Sequence, residues 1–291
     1  MSPERNDAPR FDLQAHSTRS DGALGPAEVV RRAAAAGVEL LALTDHDTVS
    51  GVPDALHAAQ AAGIRLSFAV ELSSVHDEHE DLHLLGYEID PTDPGLQAAL
   101  EDFRADRERR VLAMAGRLRE LGFALDEREL AGRESLGRPH LADALLAEPG
   151  NAARLADEGI GGRDELFSAY LVPGAHAYVA RSRPTVEEAI AVVHGAGGVA
   201  IWAHPFWNVS SPDEALSALG SFAAAGLDGV ECFYITHTRE QTLLLHDECE
   251  ARGLLSTGSA DFHGPEHDRF HSFRAFELHD RVPRLGPIGS R

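Results

Sequence analysis

The chain has 291 residues, with 26 basic and 47 acidic side chains and a formal charge of −21 when histidine is neutral. That balance excludes a non-specific nucleic-acid or anionic-membrane binder, which rests on surplus lysine and arginine, and 43 % hydrophobic content excludes wholesale disorder. Two cysteines without CxxC spacing exclude a disulfide framework and a thiolate zinc site, whereas 16 histidines beside surplus carboxylates suit a cation-binding protein.

Residues 1–10 are polar and mixed in charge, without the apolar core of a signal peptide, and no later stretch approaches 18 uninterrupted apolar residues. A cytoplasmic protein without membrane or protein partners is expected. From Phe11 onward, short apolar runs alternate with alanine-rich segments of helical period. The runs 11–15, 40–44, 66–70, 83–87, 199–203, 229–234 and 254–259 read as strands. Residues 26–36 read as a helix opened by Pro26 and closed by Gly37, and 53–62 repeats the device with Pro53 and Gly63. Thr185 with Glu188 and Ser211 with Glu214 match capping boxes that open two further helices. Strands alternating with helices predict an α/β protein built on a parallel sheet or barrel. Between residues 97 and 178 the strand signals vanish, which predicts an inserted helical subdomain between barrel parts 1–96 and 179–291. Its charge run, 101–110, reads as a solvated helix face. Residues 283–291 read as a frayed tail.

Polar residues recur where strands end: His16 after the first, Asp45 and His46 after the second, Glu71 after the third, His204 after the fifth, Asp261 and His263 after the seventh. Carboxyl ends of parallel barrel strands open onto one face, so these side chains converge. Imidazoles and carboxylates without thiolates suit Mn²⁺, Fe or Zn²⁺, and shared carboxylates hold several ions close together. His57, His194, His246, His267, His271 and His279 fall on helices or near the tail and read as bystanders.

Several motifs carry a resemblance. Asp12-Leu13-Gln14-Ala15-His16-Ser17, Ser20-Asp21-Gly22, Thr44-Asp45-His46-Asp47, Glu71, His83-Leu84-Leu85-Gly86-Tyr87, Ala203-His204-Pro205 and Asp261-Phe262-His263-Gly264 resemble the ordered motifs of the PHP (polymerase and histidinol phosphatase) family. Asp21, His46 and Glu71 also keep the spacing, 25 residues apart (46 − 21 and 71 − 46). Gly137-Arg138-Pro139-His140 and Ala177-Tyr178-Val179-Ala180-Arg181 resemble the branch of small-nucleotide phosphoesterases and 5′-to-3′ exoribonucleases. The resemblance implies a distorted (β/α)₇ barrel with a helical insert and a trinuclear metal site that hydrolyses phosphate esters. It implies His16, Asp21, His46, Glu71, His83, His204, Asp261 and His263 as metal ligands, with Gln14 in the place where the family pattern His-x-His begins. An amide oxygen is a weaker donor than imidazole, so the expectation is two or three divalent ions, Mn foremost with Fe, Zn or Mg as alternatives, and one of the three weakly held or absent. Ala260 replaces the family's usual Ser, and little is expected from that change.

Function follows from the implied ions. Hydrolysis of a phosphate monoester by a metal-activated water is expected, with Asp45 and His140 in catalytic roles. Arg138, His140, Arg181 and His237 are expected to bind substrate, Arg138 through its planar fork and His140 as donor to the phosphate or the leaving oxygen. The substrate read here is a small nucleotide, a nucleoside 3′,5′-bisphosphate or monophosphate, because an RNA track calls for a positive groove. The alternatives are trimming of 5′-phosphorylated RNA and a degenerate member that only binds metal or nucleotide.

Overall fold

A computed structural model describes residues 9–77 and 79–290, so the reading of residues 1–8 lies outside the described residues. Seven strands form one sheet in sequential order, β1 (Phe11–Asp12), β2 (Leu40–Leu43), β3 (Arg65–His76), β4 (His79–Tyr87), β5 (Val199–Trp202), β6 (Gly229–Tyr234) and β7 (Leu255–Ser259). The sheet curls until β7 returns to β1: Leu13 N–H donates to Gly258 O at 3.3 Å, and Ala15 bridges Phe262 in parallel. The result is a nearly closed mixed barrel with helices around it.

Each strand expected from the apolar runs is present, but the sheet is not all parallel. β4 runs antiparallel to both β3 and β5. Only two residues separate β3 from β4, far short of the dozen or so that a parallel crossover needs, so the pair forms a hairpin. β3 also continues to His76, which places Glu71 inside a strand and not at its end. His83 lies opposite Ser73 on the neighbouring strand.

Helices α1 (Pro26–Ala35) and α2 (Val52–Ala62) follow their proline starts, and α2 ends on Gly63 at φ 71°, a left-handed cap that costs glycine little. After β4 come α3 (Pro94–Glu120), α4 (Arg138–Ala147), α5 (Ala152–Asp157) and α6 (Arg163–Leu166), the last passing into a wider turn over Phe167–Leu171. α7 (Val186–Gly195) has the full Thr185–Glu188 capping box, α8 (Pro212–Ala224) is capped by Ser211, and α9 (Arg239–Arg252) by Thr238.

Two apolar clusters meet along α3. Its first half, Leu96, Leu100 and Phe103, packs with Val186, Ile190 and Trp202 against the barrel; its second half, Val111, Met114 and Leu118, packs with Leu141, Leu166 and Tyr170. The stripe 96, 100, 103, 107, 110, 114, 118 is one helix face, and arginines stand in it at 107 and 110. Both are nearly fully buried, so the run 101–110 is a solvated face only in part: Glu101, Asp102, Glu108 and Arg109 are exposed, while the two arginines turn inward. The described C-terminal residues, 283–290, are not frayed. Ile288 packs with Leu13 and Leu40 inside the barrel, and Gly289 is held between Arg65 and Glu88, because the barrel's lower end needs an apolar plug.

At the upper end β6 and β7 approach so closely that a Cβ on Gly258 would lie 2.5 Å from Phe233 O. Backbone cannot yield there. Gly258→Ala should cost about 1–3 kcal/mol through overpacking, read as a lower urea midpoint at unchanged slope.

Candidate metal centre

Glu71 stands at the centre of the expected residues, fully buried. Its Oε2 lies 3.0 Å from His16 Nε2, 2.9 Å from Gln14 Nε2 and 3.7 Å from His46 Nδ1; its Oε1 lies 2.5 Å from His83 Nδ1 and 3.3 Å from His204 Nε2. Asp261 Oδ1 is 3.2 Å from His16 Nε2, and Asp21 reaches His16, His46 and His263 at 3.4–3.6 Å. Eight expected ligands are thus brought together. Their donor atoms fall into three overlapping groups: His16, Asp21, His46 and His263; His46, Glu71 and His83; His16, Glu71 and Asp261.

The backbone bends sharply to present them. Asp47, His204 and Asp261 sit at φ 54°, 28° and 54°, left-handed conformations that cost a non-glycine residue on the order of 1–3 kcal/mol. Bonds to neighbours hold each in place. His204 N–H donates to Glu231 at 2.9 Å, Tyr234 O–H donates to Asp261 Oδ2 at 2.8 Å, and Asp47 N–H donates to Glu71 O at 2.9 Å.

His16 Nε2, His46 Nδ1, His204 Nδ1 and Asp261 Oδ1 are buried without a hydrogen-bond partner among the described residues. The orphaned atoms of His16, His46 and Asp261 lie beside the shared Glu71 carboxylate or beside one another, an arrangement of lone pairs that fits divalent cations. Burial pushes His46 well below its ordinary value and so keeps a ring lone pair free. Burial alone would raise Asp261, but His263 and His16 hold it down at about 2, an anion at any working pH.

Gln14 belongs to the cluster, its amide lying between Glu71 and Ser259. Its amide nitrogen donates to Glu71, while its oxygen is 3.3 Å from Ser259 Oγ. Turning the amide over would set its oxygen 2.9 Å from the carboxylate, a spacing that only a cation shared by the two oxygens makes favourable. An amide nitrogen has no lone pair to give a cation.

Asp45 and His237 are not brought to the cluster. Both Asp45 oxygens are taken by Ser17 N–H, Ser17 O–H and Ser20 O–H at 2.7–2.8 Å, so it braces the turn that carries His16 and Asp21. His237 bonds Cys232 O and lines a separate cavity with Arg239 and His279. His267, taken for a bystander, lines the cavity above the cluster, and its Nδ1 accepts from the N–H groups of Arg269 and Phe270.

Beside the cluster lies a cleft of arginines. Arg138, at the first turn of α4, reaches Asp81 at 3.1 Å, Arg110 grips the same carboxylate at 2.8 and 3.3 Å, and Arg181 approaches it at 3.9 Å. Arg107 bonds Asp47 at 3.2 Å and Ser73 at 2.8 Å. Four guanidiniums face two carboxylates. Burial, with Arg107 and Arg110 nearby, lowers Arg181 to about 10, and its Nε, which makes the 3.9 Å approach to Asp81, has no hydrogen-bond partner among the described residues. The sequence reading put Arg107 and Arg110 in a solvated charge run and did not single out Asp81; the signal for the arginines was their place in the apolar stripe of α3. His140, three residues into the same turn, accepts from Gly137 N–H through Nδ1, which puts its proton on Nε2. Burial lowers it to about 4, opposed by Asp21, so it is neutral at pH 7.

Among known proteins, the PHP-domain family model matches residues 12–125. A 5′-3′ exoribonuclease of Haemophilus influenzae is 33 % identical over 88 % of this chain and 90 % of its own length. A 3′,5′-nucleoside bisphosphate phosphatase of Chromobacterium violaceum is 34 % identical over 88 % and 87 %. Two solved structures share the fold: an amidohydrolase of Chromobacterium violaceum with bound sulfate and no metal (TM-score 0.80, 32 % identity, 90 % of each chain), and a Bifidobacterium adolescentis protein described as a metal-dependent phosphoesterase (0.76, 30 %, 90 % and 91 %).

Asp81 supplies a test of the cleft. Burial alone would raise its carboxyl, but Arg138 and Arg110 hold it well below the carboxylate range. A depressed folded value means stability present above the unfolded pKa near 3.8 and lost as pH falls below it. Asp81→Asn should therefore cost about 3–5 kcal/mol at pH 7 by leaving the guanidiniums unpaired, and the loss should shrink in denaturation curves taken below pH 3.8.

Proposed function

This chain belongs to the PHP family, and from that premise we propose that it removes a phosphate from a small nucleotide carrying a second phosphate, such as a nucleoside 3′,5′-bisphosphate. That it is a metal-dependent phosphoesterase follows from the family and its relatives. The observation that carries the finer reading is the arginine cleft adjoining the ligand cluster: Asp21, His46 and His83 line the same cavity as Arg107, Arg110, Arg138 and Arg181. A substrate with one phosphate at the cluster would place a second anion among the guanidiniums, whose planar forks match phosphate oxygens.

His16, Asp21, His46, Glu71, His83, His204, Asp261 and His263 would hold the ions, Mn²⁺ foremost. Bound divalent ions supply neutralisation of phosphoryl charge and lower the pKa of water. The chain's own groups do the rest. Arg138 and Arg181, with Arg107 and Arg110, bind and orient the second phosphate. His140, neutral, offers Nε2–H as a hydrogen-bond donor, a role that its low pKa suits better than delivering a proton to the leaving oxygen. Asp45 fixes the His16–Asp21 turn, and Tyr234 fixes Asp261. Gln14 we assign as a donor that orients Glu71, leaving two ions firmly held. Cys232 and Cys249 are both buried, their sulfurs 3.7 Å apart; the cytoplasm is the compartment we assign, on the sequence's two cysteines without CxxC spacing. Among the described residues no helix is long and apolar enough to cross a membrane.

The second reading, trimming of 5′-phosphorylated RNA, is favoured by the exoribonuclease relative, since the same cleft would accept a 5′-terminal phosphate. Phosphate release from adenosine 3′,5′-bisphosphate by chelator-stripped protein resupplied with Mn²⁺ tests the first reading, against nucleotide release from a 5′-phosphorylated oligoribonucleotide for the second. The expected result is metal-dependent release from the small molecule, and mononucleotides alone from the oligomer would replace it. Arg107→Ala should raise KM at least tenfold, since a charged hydrogen bond contributes roughly 1.5–3 kcal/mol; an unchanged KM would remove the cleft from substrate binding. Metal analysis should find two ions per chain and a third in Gln14→His, and three in the unaltered protein would overturn the Gln14 assignment.

A further inference from the structure

The cavity above the cluster, of about 460 Å³, has an outer rim that the phosphate chemistry does not use. Trp207 stands in this rim, on the short turn Pro205–Trp207 that follows His204, and 49 % of its surface is exposed. Large apolar groups elsewhere on the surface, such as Leu112 and Val282, do not line this cavity; Trp207 lies in its wall together with Phe270, Phe167 and Val172. The indole is not free to swing. Its Nε1–H donates to Thr236 Oγ1 at 3.2 Å, the Phe270 ring packs 5.8 Å away at 42°, and the Arg269 guanidinium lies 5.6 Å from its ring centre.

We propose that Trp207, buttressed by Phe270 and Arg269, is a stacking platform for the nucleobase of the substrate. The inference rests on the nucleotide reading above and adds what that reading leaves open, how the base is held. The His204 ring, part of the ligand cluster, is 6.2 Å from the indole. The platform thus adjoins the ligand cluster, so one substrate can reach both. A flat heterocycle gains from an ordered indole face whatever its hydrogen-bonding pattern, so this platform selects for the presence of a base and tolerates its identity. A rim that holds its aromatic face by a hydrogen bond and a cation also gives up little side-chain entropy on binding.

Two readouts test the platform. The first compares kcat/KM for adenosine 3′,5′-bisphosphate with that for the base-free ribose 3,5-bisphosphate, in the metal-loaded enzyme and in Trp207→Ala and Trp207→Phe. The preference for the nucleotide should fall about tenfold to a hundredfold in Trp207→Ala, mainly through KM, and be largely restored in Trp207→Phe. The same preference in all three proteins would overturn the platform. The second readout is tryptophan fluorescence on adding adenosine 5′-monophosphate. The chain has only Trp202 and Trp207, and Trp202 is fully buried. Quenching in the unaltered protein and none in Trp207→Phe supports the platform; no quenching in either overturns it. Should neither bisphosphate be hydrolysed, the proposed function falls, and the fluorescence still decides whether a base stacks on Trp207.

Discussion

One buried carboxylate organises the centre of this molecule. Glu71 is shared by Gln14, His16, His46, His83 and His204, side chains spread over some 190 residues of the chain (204 − 14), within 3.7 Å of its two oxygens. A carboxylate so deep is tolerable only when surrounded by donors or cations. The left-handed backbone at Asp47 and His204, the brace that Asp45 gives the His16–Asp21 turn, and the closure of β7 on β1 all serve to deliver those partners to one point. Strain there is held by hydrogen bonds to buried neighbours, which is how a fold keeps a site assembled before substrate arrives.

The electrostatics reconcile an acidic chain with an anionic substrate. A net charge of −21 is a property of the whole surface, whereas a ligand entering the cleft meets Arg107, Arg110, Arg138 and Arg181 at close range, behind low-dielectric walls. Asp47 and Asp81 neutralise only part of that charge and fix the geometry of the rest. The carboxylates elsewhere on the surface are screened from the cleft by solvent and salt. The acidic exterior discourages binding along a polyanion, while the cleft welcomes a short one.

Local patterns in the chain were informative wherever one residue's neighbours in sequence are also its neighbours in space. Strands came from apolar runs, and helix starts from Pro26 and the Thr185–Glu188 box, because periodicity and capping act over a few residues. The metal-ligand cluster was legible because His16, His204 and Asp261 follow strands whose ends a barrel must bring together, and His83 came through the family motif. Asp45 misled for the same reason: it follows β2 and neighbours His46, yet its side chain points to Ser17 and Ser20. The antiparallel β4 was hidden in the shortness of the 77–78 link, and the arginine cleft in charges that resemble a wet helix face.

Element order, the donor chemistry of the cluster and membership in the family that uses it are all written in the order of the residues. The tertiary structure alone decided which side chains face inward: that Arg107 and Arg110 meet Asp47 and Asp81, that Gln14 turns its nitrogen to Glu71, that residues 285–288 plug the barrel, and that Trp207 stands in the cavity rim. Direction is a property of packing between segments distant along the chain, and periodicity carries only the side of an element, not what lies across from it.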